Sequence, residues 1–448
     1  MGTEICPFEY RYGSRELKTI LSRENILRKY LLVEKALMDA LEKIGYAPHG
    51  CGEALLKCID RVKPSEVDEL EHRTGHEIAS LAILLGEKCG ECGKYVHLGA
   101  TSNDIIDTGW ALVLREALVV IKDRLKNILF KLSNLTRQYM DTIMIGRTHG
   151  QHALPLTLGF KLANYIYELT RSYERLCEME KRLVRAKIAG AVGTMAAWQG
   201  KGLKVEEIVA HELGLEPHII STQVAPRDGY AELAFVIAIL ASQFDRLVLE
   251  LRELARPEIG EVMVGDGEIG SSTMPHKKNP VKAERVSGLA RICRGLALSA
   301  VENIVLLHER DLSNSSLERV LLPHLLLTID QIMVDIEDVL SKLRISQRNM
   351  LRNIELSSGL YASECLMVKL VLKKDIARHE AHHMVSQLVD QAISSGKKFL
   401  EVVLESRVGE LLGRDEVLEC FEPHKYLGNY RELIERTLKY SAEVTSRC

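Results

Sequence analysis

The sequence predicts an all-α protein built around a bundle of long helices. Five stretches of the 448-residue chain repeat apolar residues at steps of three and four, which is the period of a helix with one buried face. No stretch shows sustained alternation with a period of two, as a half-buried strand would require. Helices that carry such stripes pack against one another at shallow angles, so a helix bundle is favoured over a sheet-based architecture.

The five periodic stretches are each long enough for a helix of about 20–35 residues, or ~30–50 Å. They contain, in order, Leu114, Leu162, Leu233, Val286 and Leu325. Some of these helices are apolar away from the main stripe as well, for example at Val113 and Leu249. A helix that is apolar on more than one side is buried on more than one side. We therefore expect a homo-oligomer.

Turn-forming residues divide the chain into three helical domains. Residues 105–355 hold the long helices, whereas residues 1–104 and 356–448 read as shorter helices interrupted by Gly and Pro. Within the central domain, Pro155 is expected to open a helix after a polar turn. Asn279 and Pro280 are expected to be the N-cap and first residue of another helix.

Composition excludes several classes of protein. The formal net charge of −3 gives no bias towards nucleic acid or an acidic membrane surface. No apolar run reaches the ~18–20 residues that span a bilayer, and the N-terminus has no apolar signal core. We expect a cytoplasmic protein with no nucleic-acid or membrane partner.

The ten cysteines are scattered along the chain. Cys89 and Cys92 form a lone CxxC, which without a second pair is a weak zinc signal. Most of the others are expected to be buried thiols, and disulfides of the kind found inside hyperthermophiles are the alternative. Only nine Gln and eleven Asn occur, and depletion of these labile residues indicates heat adaptation.

The segment from Gly265 to Pro280 is the part of the sequence that most indicates chemistry. It combines glycines, three consecutive hydroxyl residues, His276 and two lysines between two helices. Small residues allow such a loop to move over a ligand, while hydroxyls, backbone N–H groups and Lys277 favour an anion such as a carboxylate or phosphate. An ordinary polar connection between helices is the alternative.

Three further polar segments interrupt the apolar pattern at the ends of long helices. They are His97–Asp104, Gly146–His152 and His308–Arg319. A single His in such a place is usually structural, but several polar segments at helix ends favour a shared site.

A second motif, His379-Glu-Ala-His-His383, matches the H-E-x-x-H pattern of zinc proteases. It lies in a polar, charged stretch, and Asp390 is the nearest candidate for a third ligand. We interpret it as a solvated helix face and expect no metal site.

The segment from Gly270 to Asn279 fits G-S-S-x-x-P-x-K-x-N, the signature of the fumarase/aspartase superfamily, which this chain resembles. The form of this signature that has His between the Pro and the Lys, as at His276, is typical of adenylosuccinate lyases and carboxymuconate cycloisomerases. The resemblance to adenylosuccinate lyases covers nearly the whole chain, and its other motifs are Arg11-Tyr12, Thr74–Glu77, Thr101-Ser102, Arg147–His149, Ser221–Gln223, Arg310–Ser315 and Pro423–Asn429.

This resemblance implies three helical domains whose central five-helix bundles form a twenty-helix core in a homotetramer. It also implies active sites shared between subunits. The implied reaction is β-elimination of fumarate from small-molecule substrates, namely adenylosuccinate (giving AMP) and the succinyl-carboxamide ribotide SAICAR (giving AICAR). No metal or organic cofactor is implied.

The resemblance also implies roles for individual residues. Ser271 matches the general base, His149 the general acid, and Glu284 the carboxylate that orients His149, while His76 matches a further site histidine. The matches to substrate-binding positions are Arg11, Tyr12, Glu77, His97, Thr101, Ser102, Gln223, Ser272, Lys277, Asn279, Arg310, Ser315 and Arg319. Arginine suits this role because its planar fork meets a carboxylate or phosphate with two hydrogen bonds.

Two positions depart from the pattern of this family: Glu77 stands where many members have Asp, and Gly75 where many have Arg. Glu77 would place its carboxylate about one methylene further out, which affects the surroundings of His76. Three alternatives stay open: another superfamily enzyme such as 3-carboxymuconate cycloisomerase or argininosuccinate lyase, a non-catalytic helical scaffold, and a zinc protease.

Overall fold

The structure is a computed structural model that describes residues 5–265, Met274 and residues 276–447. It is all-α, as the sequence predicts. The first six helices are α1 (Pro7–Tyr10), α2 (Arg15–Ile20), α3 (Arg23–Lys43), α4 (Cys51–Ile59), α5 (Pro64–Thr74) and α6 (Glu77–Lys88). The next six are α7 (Ser102–Gln138), α8 (Leu158–Leu183), α9 (Gly202–Leu213), α10 (Asp228–Leu254), α11 (Val281–Glu302) and α12 (Ser313–Ser341).

The C-terminal helices are shorter. They are α13 (Gln347–Glu355), α14 (Ser363–Lys374), α15 (Arg378–Ser395), α16 (Phe399–Leu404), α17 (Arg407–Leu412), α18 (Arg414–Cys420) and α19 (Tyr430–Ser446). Short 3-10 helices lie at Gly90–Tyr95, Ala196–Trp198, Leu360–Ala362 and Pro423–Tyr426.

Among the residues that the structure describes, three two-stranded ladders join the helices. An antiparallel hairpin pairs β1 (Ile143–Thr148) with β2 (Gln151–Thr157). The other two ladders are two residues long: β3 (Arg185–Ala186) runs parallel to β4 (Glu216–Pro217), and β5 (Val262–Met263) runs antiparallel to β6 (Arg344–Ile345).

The chain divides into two compact units, each assembled from three stretches of sequence. Unit 1 contains Met1–Lys126, Ser172–Phe244 and Val286–Val334. Unit 2 contains Asn127–Arg171, Asp245–Arg285 and Asp335–Cys448. The division into domains at residues 104/105 and 355/356 stays a prediction.

In unit 1, polar contacts join the predicted long helices side by side. Lys122 on α7 pairs with Glu180 on α8 at 2.6 Å, and Arg124 on α7 pairs with Asp330 on α12 at 2.8 Å. Gln243 on α10 accepts a hydrogen bond from Ser172 on α8 at 2.7 Å. The predicted apolar stripes fill the space between these contacts, because Leu114, Leu118, Leu233, Val286, Leu325 and Ile329 are fully or almost fully buried.

In unit 2, the short C-terminal helices surround an apolar core centred on Phe399. Leu366 and Leu370 of α14 and Val403 of α16 are fully buried in this cluster. Ile145 of β1 belongs to the same cluster and is also fully buried. The hairpin that follows α7 is therefore anchored in the C-terminal core.

Three local predictions need correction. Pro155 does not open a helix: it lies in β2 opposite Ile145, and α8 begins at Leu158. The helix after Asn279 begins one residue later than expected, because the carbonyl of Pro280 accepts the first helical hydrogen bond, from Glu284 N. The N-terminal region is not made only of short helices, since α3 has 21 residues.

The alternative of disulfides, rather than buried thiols alone, is confirmed by two bonds between described residues. Cys51 at the start of α4 is bonded to Cys92, and Cys365 on α14 is bonded to Cys420 on α18. Because Cys92 is bonded to Cys51, the CxxC segment is not a zinc site. None of the described helices is both long enough and apolar enough to cross a bilayer.

We predict that replacing Cys365 and Cys420 by Ala lowers the free energy of unfolding of unit 2 by about 2–4 kcal/mol, because the bond closes a chain segment of 55 residues. Denaturant unfolding followed by circular dichroism measures the change. The matched control is the same comparison with excess reductant, where both proteins should unfold at the same denaturant concentration. A difference that persists under reduction would show that lost packing, not the bond, causes the effect.

Candidate active site

In unit 1, the N-terminus of α7 is organised by a buried carboxylate. Asp104 accepts a hydrogen bond from the backbone N–H of Thr101 at 2.8 Å and from that of Ala189 at 2.8 Å. Its charge is balanced by Lys187, whose Nζ lies 2.6 Å away, and both side chains are fully buried. The predicted site residues Thr101 and Ser102 are therefore fixed at the first turn of a 37-residue helix.

His97 precedes this helix and pairs with a buried acid. Its Nδ1 lies 2.6 Å from Oε1 of Glu34 on α3, whose side chain is fully buried. Burial lowers the pKa of His97, but the hydrogen bond and charge of Glu34, with a smaller contribution from Asp104, outweigh burial and raise this pKa above its ordinary value. His97 also has a φ of +62°, in the left-handed region that non-glycine residues rarely adopt.

Two other predicted site residues of unit 1 are in direct contact. Nη1 of Arg310 donates to Oε1 of Gln223 at 3.2 Å, and Nε2 of Gln223 donates to the carbonyl of Ala191 at 2.9 Å. Burial lowers the pKa of Arg310, although Asp107 opposes this effect. A partly desolvated guanidinium beside a neutral amide is suited to binding an anion.

A buried arginine, Arg227, acts electrostatically on Arg310. Arg227 donates two hydrogen bonds to Asp107 on α7, at 2.9 and 3.0 Å, and Nε donates to Glu318 on α12 at 2.7 Å. Glu318 also accepts from Asn303 and Asn314 at 2.8 and 3.0 Å. The segments that carry Thr101, Gln223 and Ser315 are thus tied together by one guanidinium.

His76 and Glu77 begin α6. His76 is the N-cap, with Nδ1 accepting from the backbone N–H of Ala79 at 3.3 Å, and its side chain is exposed. Glu77 forms an ion pair with Arg23, and its other oxygen lies 3.9 Å from Arg319. The carboxylate that departs from the family pattern is therefore held between two guanidinium groups.

The predicted residues Arg11 and Tyr12 follow α1. The Arg11 guanidinium lies 5.8 Å from the centre of the Tyr12 ring. The next two residues are held by α12, because the N–H of Gly13 donates to Gln331 at 2.9 Å and that of Ser14 donates to Asp330 at 2.6 Å. Ser315 lies on the first turn of α12 and is half-buried.

In unit 2, His149 is presented by the tip of the β1–β2 hairpin. His149 and Gly150 have φ values of +53° and +74°, as in the tight turns that match the twist of a hairpin. The His149 side chain is exposed. Beside it, Arg147 makes two hydrogen bonds to Glu261, at 3.0 and 2.8 Å, and Asn353 donates to the same fully buried carboxylate at 2.8 Å. This anchor fixes the base of the turn.

The remaining predicted residues of unit 2 lie around the signature loop. Lys277 is exposed, and its N–H donates to the carbonyl of Met274. Asn279 lines a small cleft with Val264, Gly265, Asp338, Val339 and its neighbours in residues 278–282. Glu284 is exposed on the first turn of α11. Ser271 and Ser272 lie outside the described residues.

The structure therefore joins some of the predicted residues within a unit. Gln223 contacts Arg310, and Glu77 contacts Arg319. In the described part of unit 2, no hydrogen bond joins the exposed side chains of His149 and Glu284.

No motif in the sequence assigns a supporting role to the charged residues that hold the site together. They are Arg23, Glu34, Asp104, Lys187, Arg227 and Glu261. A signal for one of them was present, because Glu34 interrupts the apolar face of α3 between Leu31 and Leu37. The partners of the others are distant in sequence, and pattern alone does not reveal them.

The zinc-protease motif lies on the surface of α15. His379, Glu380 and His383 are exposed on α15, as predicted for a solvated helix face. Across residues 5–265, 274 and 276–447, no group of three or more His, Cys, Asp or Glu side chains is arranged to hold a metal ion.

Comparisons with known proteins agree with this long-helix fold. The lyase family matches residues 12–295, and the adenylosuccinate lyase C-terminus matches residues 359–437. The crystal structure of 3-carboxy-cis,cis-muconate lactonizing enzyme from Pseudomonas putida is similar, with a TM-score of 0.88 and 29% identity, over 98% of this chain and 99% of that one. The protein is therefore an enzyme of the lyase class.

Two full-length relatives define the family more closely. Adenylosuccinate lyase of Pyrococcus abyssi is 42% identical over 447 residues, 99% of either chain. Adenylosuccinate lyase of Methanothermobacter thermautotrophicus is 42% identical over 444 residues, 98% of this chain and 99% of the relative. The chain belongs to the adenylosuccinate lyase family. Both relatives come from thermophilic archaea, in agreement with the predicted heat adaptation.

We predict that Glu261→Ala lowers the free energy of unfolding by about 3 kcal/mol, because it leaves the largely buried Arg147 without its carboxylate. Denaturant unfolding measures the loss. The matched control is Glu253→Ala, which removes an exposed ion pair with Arg256 in the same unit and should cost less than about 1 kcal/mol. Equal losses in the two variants would contradict the anchoring role of Glu261.

Proposed function

We propose that this lyase eliminates fumarate from adenylosuccinate, giving AMP, and from SAICAR, giving AICAR. The observation that carries the proposal is the 42% identity to adenylosuccinate lyases over essentially the whole chain, including the C-terminal region of that family. The sequence from Gly270 to Asn279, with His276 inside the signature, supports the same activity.

The charges of unit 1 suit these substrates. Adenylosuccinate carries a phosphate and two carboxylates, so its site needs several fixed cations. Unit 1 supplies Arg11, Arg310 and Arg319, and His97 with its raised pKa adds to them. Arginine can meet each oxyanion with two parallel hydrogen bonds.

The elimination needs a base, a stabilised dianion and an acid. Ser271 removes the proton beside a succinyl carboxylate, the electron pair forms the carbon–carbon double bond, and the carbon–nitrogen bond breaks. His149 gives a proton to the departing nitrogen. Lys277 and Asn279 hold the succinyl carboxylates, whose negative charge increases as the proton leaves. Because a serine hydroxyl is a very weak base, its activation requires a closed site with neighbouring N–H donors.

We also propose that the active protein is a homotetramer with sites shared between subunits. Large apolar side chains lie exposed along the long helices of unit 1, including Phe235 and Ile239 on α10 and Ile292, Leu298 and Val301 on α11. Several large exposed apolar side chains on the same helices favour an interface with another chain. The exposed positions of His76, His149 and Glu284 in one chain also suit a site that other chains complete.

We predict that the purified protein releases fumarate from adenylosuccinate but not from argininosuccinate, and that it does not interconvert a carboxymuconate lactone and the open carboxymuconate. The reason is that its cationic groups and full-length relatives match the nucleotide substrate. Ultraviolet absorbance and product chromatography measure the reaction. Turnover of the lactone alone would instead support the cycloisomerase, whose solved relative shares the fold.

We predict that Ser271→Ala and His149→Ala each lower kcat by about a hundredfold or more with the fold retained, because each removes a proton-transfer group. Steady-state kinetics and circular dichroism measure the two effects. The matched control is His379→Ala on the exposed face of α15, which should keep wild-type activity. Wild-type turnover in both site variants would contradict the assignment.

A further inference from the structure

Glu34 is a buried acid that the proposed reaction does not use. It lies in the middle of α3, and its neighbours Leu31, Leu37 and Met38 are almost fully buried. Its own side chain is fully buried. A carboxylate in such surroundings is strongly unfavourable unless a cation or several donors compensate its charge.

His97 supplies that compensation. Its Nδ1 is 2.6 Å from Oε1 of Glu34, whereas Oε2 is buried and has no hydrogen-bond partner among the described residues. An ionised Glu34 can only accept, so in that form of the pair a proton lies on Nδ1 of His97. An imidazolium would also neutralise the charge, which a neutral imidazole would not.

The backbone of His97 indicates that the ring position is imposed by its surroundings. The residue lies between the 3-10 helix Gly90–Tyr95 and α7 with a φ of +62°, a conformation that costs free energy for a residue with a Cβ. The side chain is 23% exposed although Nδ1 is engaged with a buried partner. The Nε2 edge of the ring is thus the edge left to meet a ligand.

The charged groups that face His97 come from two elements. Glu34 approaches from α3, and Asp104 acts from the first turn of α7, where Lys187 already balances its charge. Glu34 is therefore the group whose negative charge is available to His97. The other site cations of unit 1 are arginines, so His97 is the member of the cationic set whose charge depends on a partner.

We propose that Glu34 is a positioning residue that holds His97 as an imidazolium, so that Nε2–H donates to an anionic group of the substrate. The anion is a carboxylate or a phosphate, since both accept this bond in the same way. The inference rests on the proposed function for the identity of the substrate, but the pairing of Glu34 with His97 is testable without it.

Binding of an anion by His97 should weaken as the pH rises. Because Glu34 raises the pKa of His97, the positive charge is present at low pH and is lost only as the pH rises through the raised value. Removing the carboxylate lowers the pKa of His97, so the charge is lost at a lower pH. Binding of an anion should therefore weaken in the variant at neutral and alkaline pH and stay near normal in acid.

We predict that Glu34→Gln raises KM for adenylosuccinate by about tenfold near pH 8 and by less than about threefold near pH 6, with a smaller change in kcat. Steady-state kinetics across this range measure the profile. Separate titrations with AMP and with fumarate identify the anion, because AMP carries the phosphate and fumarate the carboxylates. The ligand whose affinity acquires the shifted pH dependence is the one that meets His97.

The matched control is Glu42→Gln on the same helix. Glu42 accepts from the backbone N–H groups of Gly50 and Gly52 at the start of α4 and has no contact with His97. Its loss should reduce stability without moving the pH profile of KM. An unchanged profile in Glu34→Gln, or an equal shift in both variants, would overturn the proposal.

A stability comparison tests the pairing even if Glu34→Gln folds poorly or the wild type proves inactive on adenylosuccinate. His97→Gln leaves Glu34 buried without a cation, whereas the double variant Glu34→Gln/His97→Gln leaves no buried charge. We expect the double variant to melt at a higher temperature than His97→Gln near pH 7. If His97→Gln melts at the same or a higher temperature, the pairing is refuted. An inactive wild type with the expected order of melting would refute only the proposed function.

Discussion

Buried charges that must be paired fix the polar ends of the long helices. Asp104 with Lys187, and Arg227 with Asp107, are almost completely removed from solvent. A buried charge without a partner costs several kcal/mol, so each pair specifies one arrangement of the segments that carry it. Arg227 alone joins residues of α7, α12 and the loop before α10. In unit 2, Arg147 and Glu261 fix the hairpin below His149 in the same way.

These charge pairs are largely buried. The residues proposed to contact the substrate are neighbours of the paired residues in sequence. Each proposed site residue is two or three positions from a largely buried charge: Thr101 lies near Asp104, Ser315 near Glu318, and His149 near Arg147. Rigid supports of this kind hold reacting groups to a fraction of an ångström, which is what proton transfer to and from a substrate requires. In the proposed tetramer, a neighbouring subunit can then complete the site to which these exposed side chains belong.

The sequence was sufficient to predict the helical class, because the stripes through Leu114, Leu233 and Leu325 are long and regular. The sequence predicted the wrong role for Pro155, because a proline after a polar turn can open a helix or lie in a strand beside a register shift. Packing of the hairpin against the C-terminal core decides between the two. Disulfides were an alternative without assigned partners, since the pairing of Cys51 with Cys92 depends on where α4 lies relative to the 3-10 helix Gly90–Tyr95.

The sequence predicted the motif residues of the candidate site but not the residues that support them, for a similar reason. Motifs with proposed roles at the substrate, such as Arg147–His149 and Gly270–Asn279, are short and contiguous in sequence, so a family resemblance identifies them. Supporting residues such as Glu34 and Arg227 act through partners far away in sequence, 63 residues for Glu34 and 120 for the Asp107 partner of Arg227. Their roles follow from burial and charge, which only the folded chain supplies.

The central claim is that several copies of this chain jointly form a site that eliminates fumarate. The most direct test mixes the two inactive variants Ser271→Ala and His149→Ala under conditions that exchange subunits. If each site takes these residues from different chains, random hybrids should recover about one quarter of the wild-type activity, because each of the two positions is intact half of the time. Mixtures that form hybrid tetramers yet release no fumarate would contradict the account.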